Sequence, residues 1–277
     1  MFPTVLIFHL MTHTWVLQDN KYWYLDSDFE MPQDVSNHQC NLNMVHVHGK
    51  MVQDRDPNPY GDGTVEFLQK TTCTSWINKD FPERCLPFDR DQWLKIKKTL
   101  PTKSMEFCMD QFEFPNRKNS NPWIFVNFNE SEELCKQQGK RLCSEDEWTF
   151  ACEGEEAKPY PYGYDRDQNA CVIDRPWLAY HPSGLRPRDQ AFVELDRLWQ
   201  GEPSGSMPRC KSDFGVYDLT GNVDEWTTKV RPEGKYKSIL KGGYWSRVRT
   251  RCRPSTRSHN ENHIFYQQGF RCCSNIK

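Results

Sequence analysis

Twelve cysteines in 277 residues constrain this chain more than any other feature. Their number is even, and no pair of Cys-x-x-Cys arms offers a structural zinc site. A reducing cytosol gives little reason to accumulate so many thiols without a metal. They therefore read as disulfides, which places the protein in a periplasmic or extracellular compartment. The N-terminal stretch "MFPTVLIFHLMTHTWVL" is apolar but has no basic start and no small-residue cleavage site. It reads as an irregular export signal, a truncated one, or an N-terminal strand. No apolar run is long enough for a transmembrane helix, so no membrane span is expected. The formal charge of -2 is nearly balanced, which argues against nucleic acid as a partner, since phosphate binding needs a concentrated positive field. A basic run from Arg247 to Arg257 still needs an explanation.

Along the chain, residues 37–83 are rich in turn formers around "DRDPNPYGDG", with short strands such as "NMVHVHG". A short helix is expected over Asp91–Lys98, and "TLPTKS" reads as a linker. That divides the chain into an irregular N-terminal extension, 1–103, and a C-terminal domain, 104–277. In the latter, "SEELCKQQG" reads as a helix stopped by Gly139. Ser144 and Glu147 are spaced as a capping box, and Trp148, Ala151 and Cys152 then share one helical face. From Gly154 to Arg209 there is little periodicity and much Pro, Gly and Asp, so long structured loops are expected. Strand-like runs ("FGVYDL", "SILKGGYW", "GFRCC") follow. Two helices and then a loop-rich small sheet make an α+β pattern, not the alternation of a doubly wound fold.

Four motifs occur in order: "GKRLCSEDEWTFACEG", "FGVYDLTGNVDEW", "LKGGYW" and "GFRCC". Preceded by "MEFCMDQFEFPN" as a first strand, they resemble the formylglycine-generating enzyme family, or sulfatase-modifying factor domains, over Met105–Lys277. The resemblance implies a loop-rich variant of the C-type lectin fold, with the first hundred residues outside it. It also implies two disulfides, Cys135–Cys272 and Cys152–Cys252, each tying a helix to the C-terminal sheet. Chain-entropy reasoning credits such long closures with about 4–5 kcal/mol each. Cys73 and Cys85 suit a local bridge. The pairing among Cys40, Cys108, Cys143, Cys171, Cys210 and Cys273 stays open.

In the family that is resembled, the segment after the glycine pair carries two cysteines that bind copper and oxidise a substrate cysteine. Here that segment reads "GGYWSRVRTRC". Ser246 and Arg247 stand near the first position, the second is lost in a shorter loop, and Cys252 matches the structural cysteine. Neither serine nor arginine replaces a thiolate in soft-metal ligation or thiol exchange. Formylglycine formation is therefore not expected, nor copper or iron as cofactor.

Other groups of residues are read through the same resemblance. In "TGNVDEW" the carbonyls of Thr220, Gly221 and Val223 and the carboxylate of Glu225 would hold a structural calcium ion, an all-oxygen set suited to a hard cation. The competing reading makes Glu225 a salt-bridge partner within the fold. Asn169 and Ala170 stand where the family has a second calcium site. "DRDPN" at 54–58 reads as a solvated turn, because Pro59 stands where a calcium loop needs glycine. "HVH" (His46, His48) and "HNENH" (His259, His263) read as surface histidines. Trp226, Tyr244, Trp245 and the arginines 247, 249, 251, 253, 257 and 271 surround the family's peptide site, and Trp226, Ser246, Arg247, Arg249, Arg257 and His259 form the candidate ligand surface, although Trp226, Trp245 and Arg271 also read as core or bracing residues. Two functions follow. One is a calcium-bearing binding or accessory module for a protein, a peptide or a small acidic ligand. The alternative is a metal-dependent oxidoreductase or maturation enzyme working through His259, Glu261 and His263.

Overall fold

The computed structural model describes residues 40–41, 43–56, 58, 61–231 and 234–277, together with the antiparallel strand pair β1 (Val16–Gln18) and β2 (Tyr22–Tyr24). The first 15 residues, which hold most of the expected export segment, lie outside the described residues. The later elements are β3 (Met44–Val52), α1 (Val65–Lys70), β4 (Trp76–Asn78), β5 (Arg84–Cys85), α2 (Arg90–Lys97) and β6 (Thr102–Asp110). Then come α3 (Phe128–Gln137), β7 (Arg141–Leu142), α4 (Glu145–Glu153), α5 (Phe192–Leu198) and β8 (Asp224–Thr228). The chain closes with β9 (Ser238–Lys241), β10 (Ser255–Thr256), β11 (Gln268–Phe270) and β12 (Cys272–Ser274).

Two four-stranded sheets organise the molecule. One has the order β3-β6-β12-β7 and is antiparallel throughout. The other runs β10-β9-β8-β11, with β11 parallel to β8. A single residue, Arg271, joins β11 to β12 and so carries the chain from one sheet to the other. Its side chain is fully buried.

The boundary expected near residue 103 falls within the first sheet. β3 pairs with β6 along its whole length, from Met44 opposite Asp110 to Val52 opposite Thr102. Residue 103 lies inside a strand, and the segment before it contributes an edge strand to the common sheet. The N-terminal region carries the expected strand at "NMVHVHG", as part of β3, and the expected helix as α2, and adds α1 and the β4–β5 hairpin. Sequence pattern could not show the pairing of β3 with β6, because an edge strand is specified by its distant partner as much as by its own alternation.

Local chemistry sets the helix ends. Ser144 and Glu147 form the expected capping box of α4, and every residue of that helix is buried. α3 begins earlier than the sequence suggests, because Asn127 and Glu130 form a second capping box. Past its end, Gly139 takes φ +68°, where a Cβ would be strained. α4 packs its Trp148, Ala151 and Cys152 in one cluster with Val47, Met105, Phe107 and Met109 of the first sheet.

All twelve cysteines are paired. The pairs implied by the resemblance, Cys135–Cys272 and Cys152–Cys252, are present, as is the local Cys73–Cys85 bridge. The remaining three are Cys40–Cys108, Cys143–Cys273 and Cys171–Cys210. Cys272 and Cys273 thus anchor α3 and the residue that follows β7 to the same C-terminal strand. No helix among the described residues is long and apolar enough to cross a membrane.

Candidate functional site

The turn that leads into β8 is built around one position that only glycine can fill. Gly221 has φ +82°, and a Cβ there would stand 2.3 Å from the Val172 carbonyl oxygen. The neighbouring Asn222 is also left-handed and spends its amide on the turn's surroundings. Its Nδ2 donates to Glu113 Oε2 (2.8 Å) and to the Glu202 carbonyl, and its Oδ1 accepts from the Glu202 N–H. Glu225, fully buried, accepts from Arg271 at both oxygens (2.7 Å each) and from Trp148 Nε1 at Oε2 (2.9 Å). A carboxylate has about four lone-pair positions, so one remains at Oε1. The expected calcium ligand is thus also a salt-bridge partner inside the fold.

Charge around this turn does not balance within the side chains. Glu113, Asp218 and Glu225 are all buried with one guanidinium, Arg271. Burial pushes the Glu113 carboxyl well up, and repulsion from Asp218 and Glu225 adds to it. Glu113 Oε1 has no hydrogen-bond partner. At the expected second calcium position, Ala170 is buried and Asn169 exposed. Asp167, beside them, accepts from the Asn169 N–H and pairs with Arg209. In the 54–58 segment, Asp54 accepts from the Val65 N–H and carries Arg231 (2.5 Å), so it serves the fold locally.

The glycine pair at 242–243 continues the same structure. Both residues have positive φ, and the Gly243 N–H donates to the buried Asp224. Burial raises that carboxyl to about 7. Trp245 is fully packed, and its N–H returns to the Asn222 carbonyl.

From there the candidate ligand residues divide. Ser246 is buried, with its hydroxyl toward the Arg175 carbonyl (3.4 Å), and Trp226 is buried with its indole N–H on the Val126 carbonyl. Neither presents a surface for a ligand. Arg249 donates to Thr256 and lies over the exposed Phe81 ring at 5.8 Å. Arg257 is paired with Glu145. Arg247 is exposed and has no side-chain partner among the described residues. His259 stacks on His263 with ring centroids 3.8 Å apart, and burial pushes its imidazole down to about 4. His46 and His48 share one side of β3, as the strand period requires, with centroids 4.7 Å apart. No group of three or more His, Cys, Asp or Glu side chains among the described residues is placed to hold a metal. That count does not bear on the turn at 220–225, whose expected donors are mostly backbone oxygens.

Two features escaped the sequence reading. Lys241 is buried, donates to the Arg253 carbonyl (2.7 Å) and lies 5.4 Å from the Trp148 ring centre. Burial pushes its ammonium down to about 8. Only its place in a strand-like run hinted at burial. The second is a solvent-open cavity of about 650 Å³ between the Tyr180–Arg188 segment and the Asn260–Phe265 loop. Segment 154–209, which supplies one wall, lacks periodicity, and no motif marks it.

Residues 35–276 match the family described as "Sulfatase-modifying factor enzyme 1-like domain". The match begins well before residue 104. Among curated proteins, the chain is 30% identical over 198 residues to "Inactive C-alpha-formylglycine-generating enzyme 2" of Bos taurus, covering 66% of this chain and 58% of that protein. Its likeness to the Mus musculus protein of the same name is 31% over 166 residues, covering 55% and 49%. "Formylglycine-generating enzyme" of Bos taurus is 25% identical over 188 residues, covering 55% and 44%. The chain thus spans about half the length of the curated relatives it matches. Among solved structures, PvdO from Pseudomonas aeruginosa aligns with 84% of this chain and 94% of its own at a TM-score of 0.49 and 14% identity.

Proposed function

This chain belongs to the sulfatase-modifying factor enzyme 1-like domain family, and on that premise we propose that it is an exported, calcium-stabilised binding or accessory module that does not convert cysteine to formylglycine. The observation that carries the reading is the state of the cysteines. All twelve are committed to disulfides, and the one that follows the glycine pair, Cys252, is held by Cys152. No thiolate is left to ligate a soft metal or to exchange with a substrate thiol. Two relatives whose names call them inactive support the same view. Six disulfides favour an oxidising compartment.

Calcium is supported by the donor chemistry of the turn. Thr220, Gly221 and Val223 would offer carbonyl oxygens, and Glu225 its remaining lone pair. Burial raises the carboxyls of Glu113 and Asp218, and a cation close by would favour their ionised forms, whose surplus Arg271 alone does not balance. Its contribution would be to neutralise that surplus and fix the turn. Asn169 and Ala170 are the candidates for a second ion.

Ligand recognition falls first to the exposed Arg247, with Arg249, Arg257 and His259, each of which also has a partner within the fold, completing the surface. A protein, a peptide or a small acidic ligand fits their charge. The oxidoreductase alternative is weakened by geometry, since the Glu261 carboxylate accepts from the Lys237 N–H (2.6 Å) and the two histidine rings stack on each other.

The deciding experiment incubates the purified protein with a cysteine-containing sulfatase peptide and copper(I), and reads formylglycine by mass spectrometry. The peptide should stay unmodified, and a thiol titration of the folded protein should find no reactive thiol. Formylglycine on the peptide overturns the reading. Calcium content and the shift of Tm on chelation test the ion separately.

A further inference from the structure

We propose that the cavity between the Tyr180–Arg188 segment and the Asn260–Phe265 loop is a binding site for a peptide segment that carries an aromatic side chain beside a carboxylate. The inference rests on the binding-module reading above but moves the ligand away from the arginines of residues 247–257.

The cavity's volume, about 650 Å³, is within the span of ligand sites, roughly 300–1,000 Å³. Its walls are aromatic. Tyr180 and Phe265 meet edge to face with centroids 4.9 Å apart, and Phe125 forms a further wall. Such faces accept a ring in the offset or T-shaped geometries that aromatic pairs prefer.

Phe125 itself is held in an unfavourable conformation. Its φ is +60°, in the left-handed region that bulky residues avoid, and such strain persists only where neighbours impose it. Here the neighbour is Arg188. Its Nη2 donates to the Phe125 carbonyl (2.5 Å), and its guanidinium lies 5.5 Å from the centre of the Phe125 ring. Arg188 is fixed in turn by two hydrogen bonds to Glu130. The aromatic wall is therefore set before any ligand arrives, which lowers the ordering cost of binding.

Charge gives the second half of the ligand. Arg188 is neutralised by Glu130, whereas Arg186 is exposed and has no side-chain partner among the described residues. No Asp or Glu lines the cavity among the described residues. An anion at the mouth thus meets one unspent guanidinium and no opposing carboxylate. The remaining polar lining is the Tyr180 hydroxyl, the His263 imidazole, which bonds Gln268, and two side-chain amides. Asn262 accepts from Asn129 at its Oδ1, which leaves its N–H groups for a ligand, and Asn260 stands beside it. Amide donors at a rim match peptide carbonyls, so the occupant is a peptide rather than a bare aromatic acid.

The test uses calorimetry on the full chain with acetyl-Gly-Phe-Asp-Gly-amide. Saturable binding is expected, with at least a tenfold loss when Phe is replaced by Ala or Asp by Asn in the probe. Arg186→Glu should weaken the parent probe by about tenfold or more, while Lys95→Glu, an equal charge change on α2, should not. Phe265→Ala gives a second, uncharged variant of the wall. Absence of saturable binding overturns the proposal. So does binding that ignores Arg186→Glu but is lost in Arg247→Glu, an outcome that keeps the binding-module reading and returns the site to the basic loop. Equal affinity for N-acetylphenylalanine overturns the peptide assignment, and self-association abolished by Arg186→Glu would make a second copy of this chain the occupant.

Discussion

The turn at Asp218–Val223 with the start of β8, and the rim at Tyr180–Arg188, both position polar groups around tight turns, yet they handle them in opposite ways. In the turn, nearly everything polar is inside the protein, and Glu225 and Arg271 are both fully buried while answering each other. At the rim, Arg186 is left in solvent with no partner among the described residues, and Tyr180 keeps 39% of its surface exposed. A buried polar network must be complete to be tolerated, so each member constrains the others. A rim has no such closure condition, and its residues are free to serve a ligand. The family motif lies in the first region, and no motif marks the second.

The largest effect that would sharpen this contrast is loss of Arg271. Arg271→Ala leaves Glu225 buried beside Glu113 and Asp218 with no guanidinium. Removing one partner of a buried pair costs about 3–5 kcal/mol. Denaturant unfolding should show that loss, and a cost below about 1 kcal/mol would mean that water or an ion replaces the guanidinium. Next comes Cys135→Ala with Cys272→Ala, which opens a closure of 137 residues between α3 and β12. Removal of such a native bridge is expected to cost about 2–5 kcal/mol, read as a lower midpoint together with a steeper slope as the unfolded chain expands.

How much of this was legible beforehand depended on whether the cause was local. Ser144 and Glu147 sit three residues apart and announced α4. Gly221 belonged to a recognisable motif whose intolerance of a side chain is set by one carbonyl, that of Val172. The pairing of β3 with β6 was hidden, because its register is fixed by a partner some sixty residues away. The partners of the arginines were hidden for a similar reason. Arg249 and Arg257 read as candidate ligand residues in a basic run, and Thr256, Phe81 and Glu145 contact them, Glu145 from another element. Trp226 and Ser246 stand at the expected sequence positions but face inward. The cavity was invisible because its two walls lie some eighty residues apart in loops without periodicity.

A smaller effect tests how complete the burial is near the glycine pair. Lys241 is buried with one hydrogen bond, to a carbonyl, and burial lowers its ammonium from 10.5 to about 8. Between these values the unfolded chain holds the proton and the folded chain does not. The unfolded state therefore binds more protons there, and stability from this group rises with pH from about 8 to 10.5. Lys241→Met should raise stability below pH 8 and remove that rise. The measurement is the difference in Tm between the two proteins across the window, so that tyrosines titrating in both cancel. A constant difference across the window would show that Lys241 keeps its charge in the fold through water contact.

The smallest expected effect is the one that most directly opposes rim to turn. Arg186→Ala removes a cation that is exposed and unpaired among the described residues, so it breaks no hydrogen bond, uncovers no buried charge and leaves no cavity. Surface changes of that kind stay within about 0.5 kcal/mol. The same substitution at Arg271, only one sheet connection away from β11, is expected to cost several times more. If Arg186→Ala instead lowered the midpoint as far as Arg271→Ala, Arg186 would have to be part of the fold's own charge balance. The rim would then be a second closed network, and the division between a constrained turn and a free ligand surface would fall.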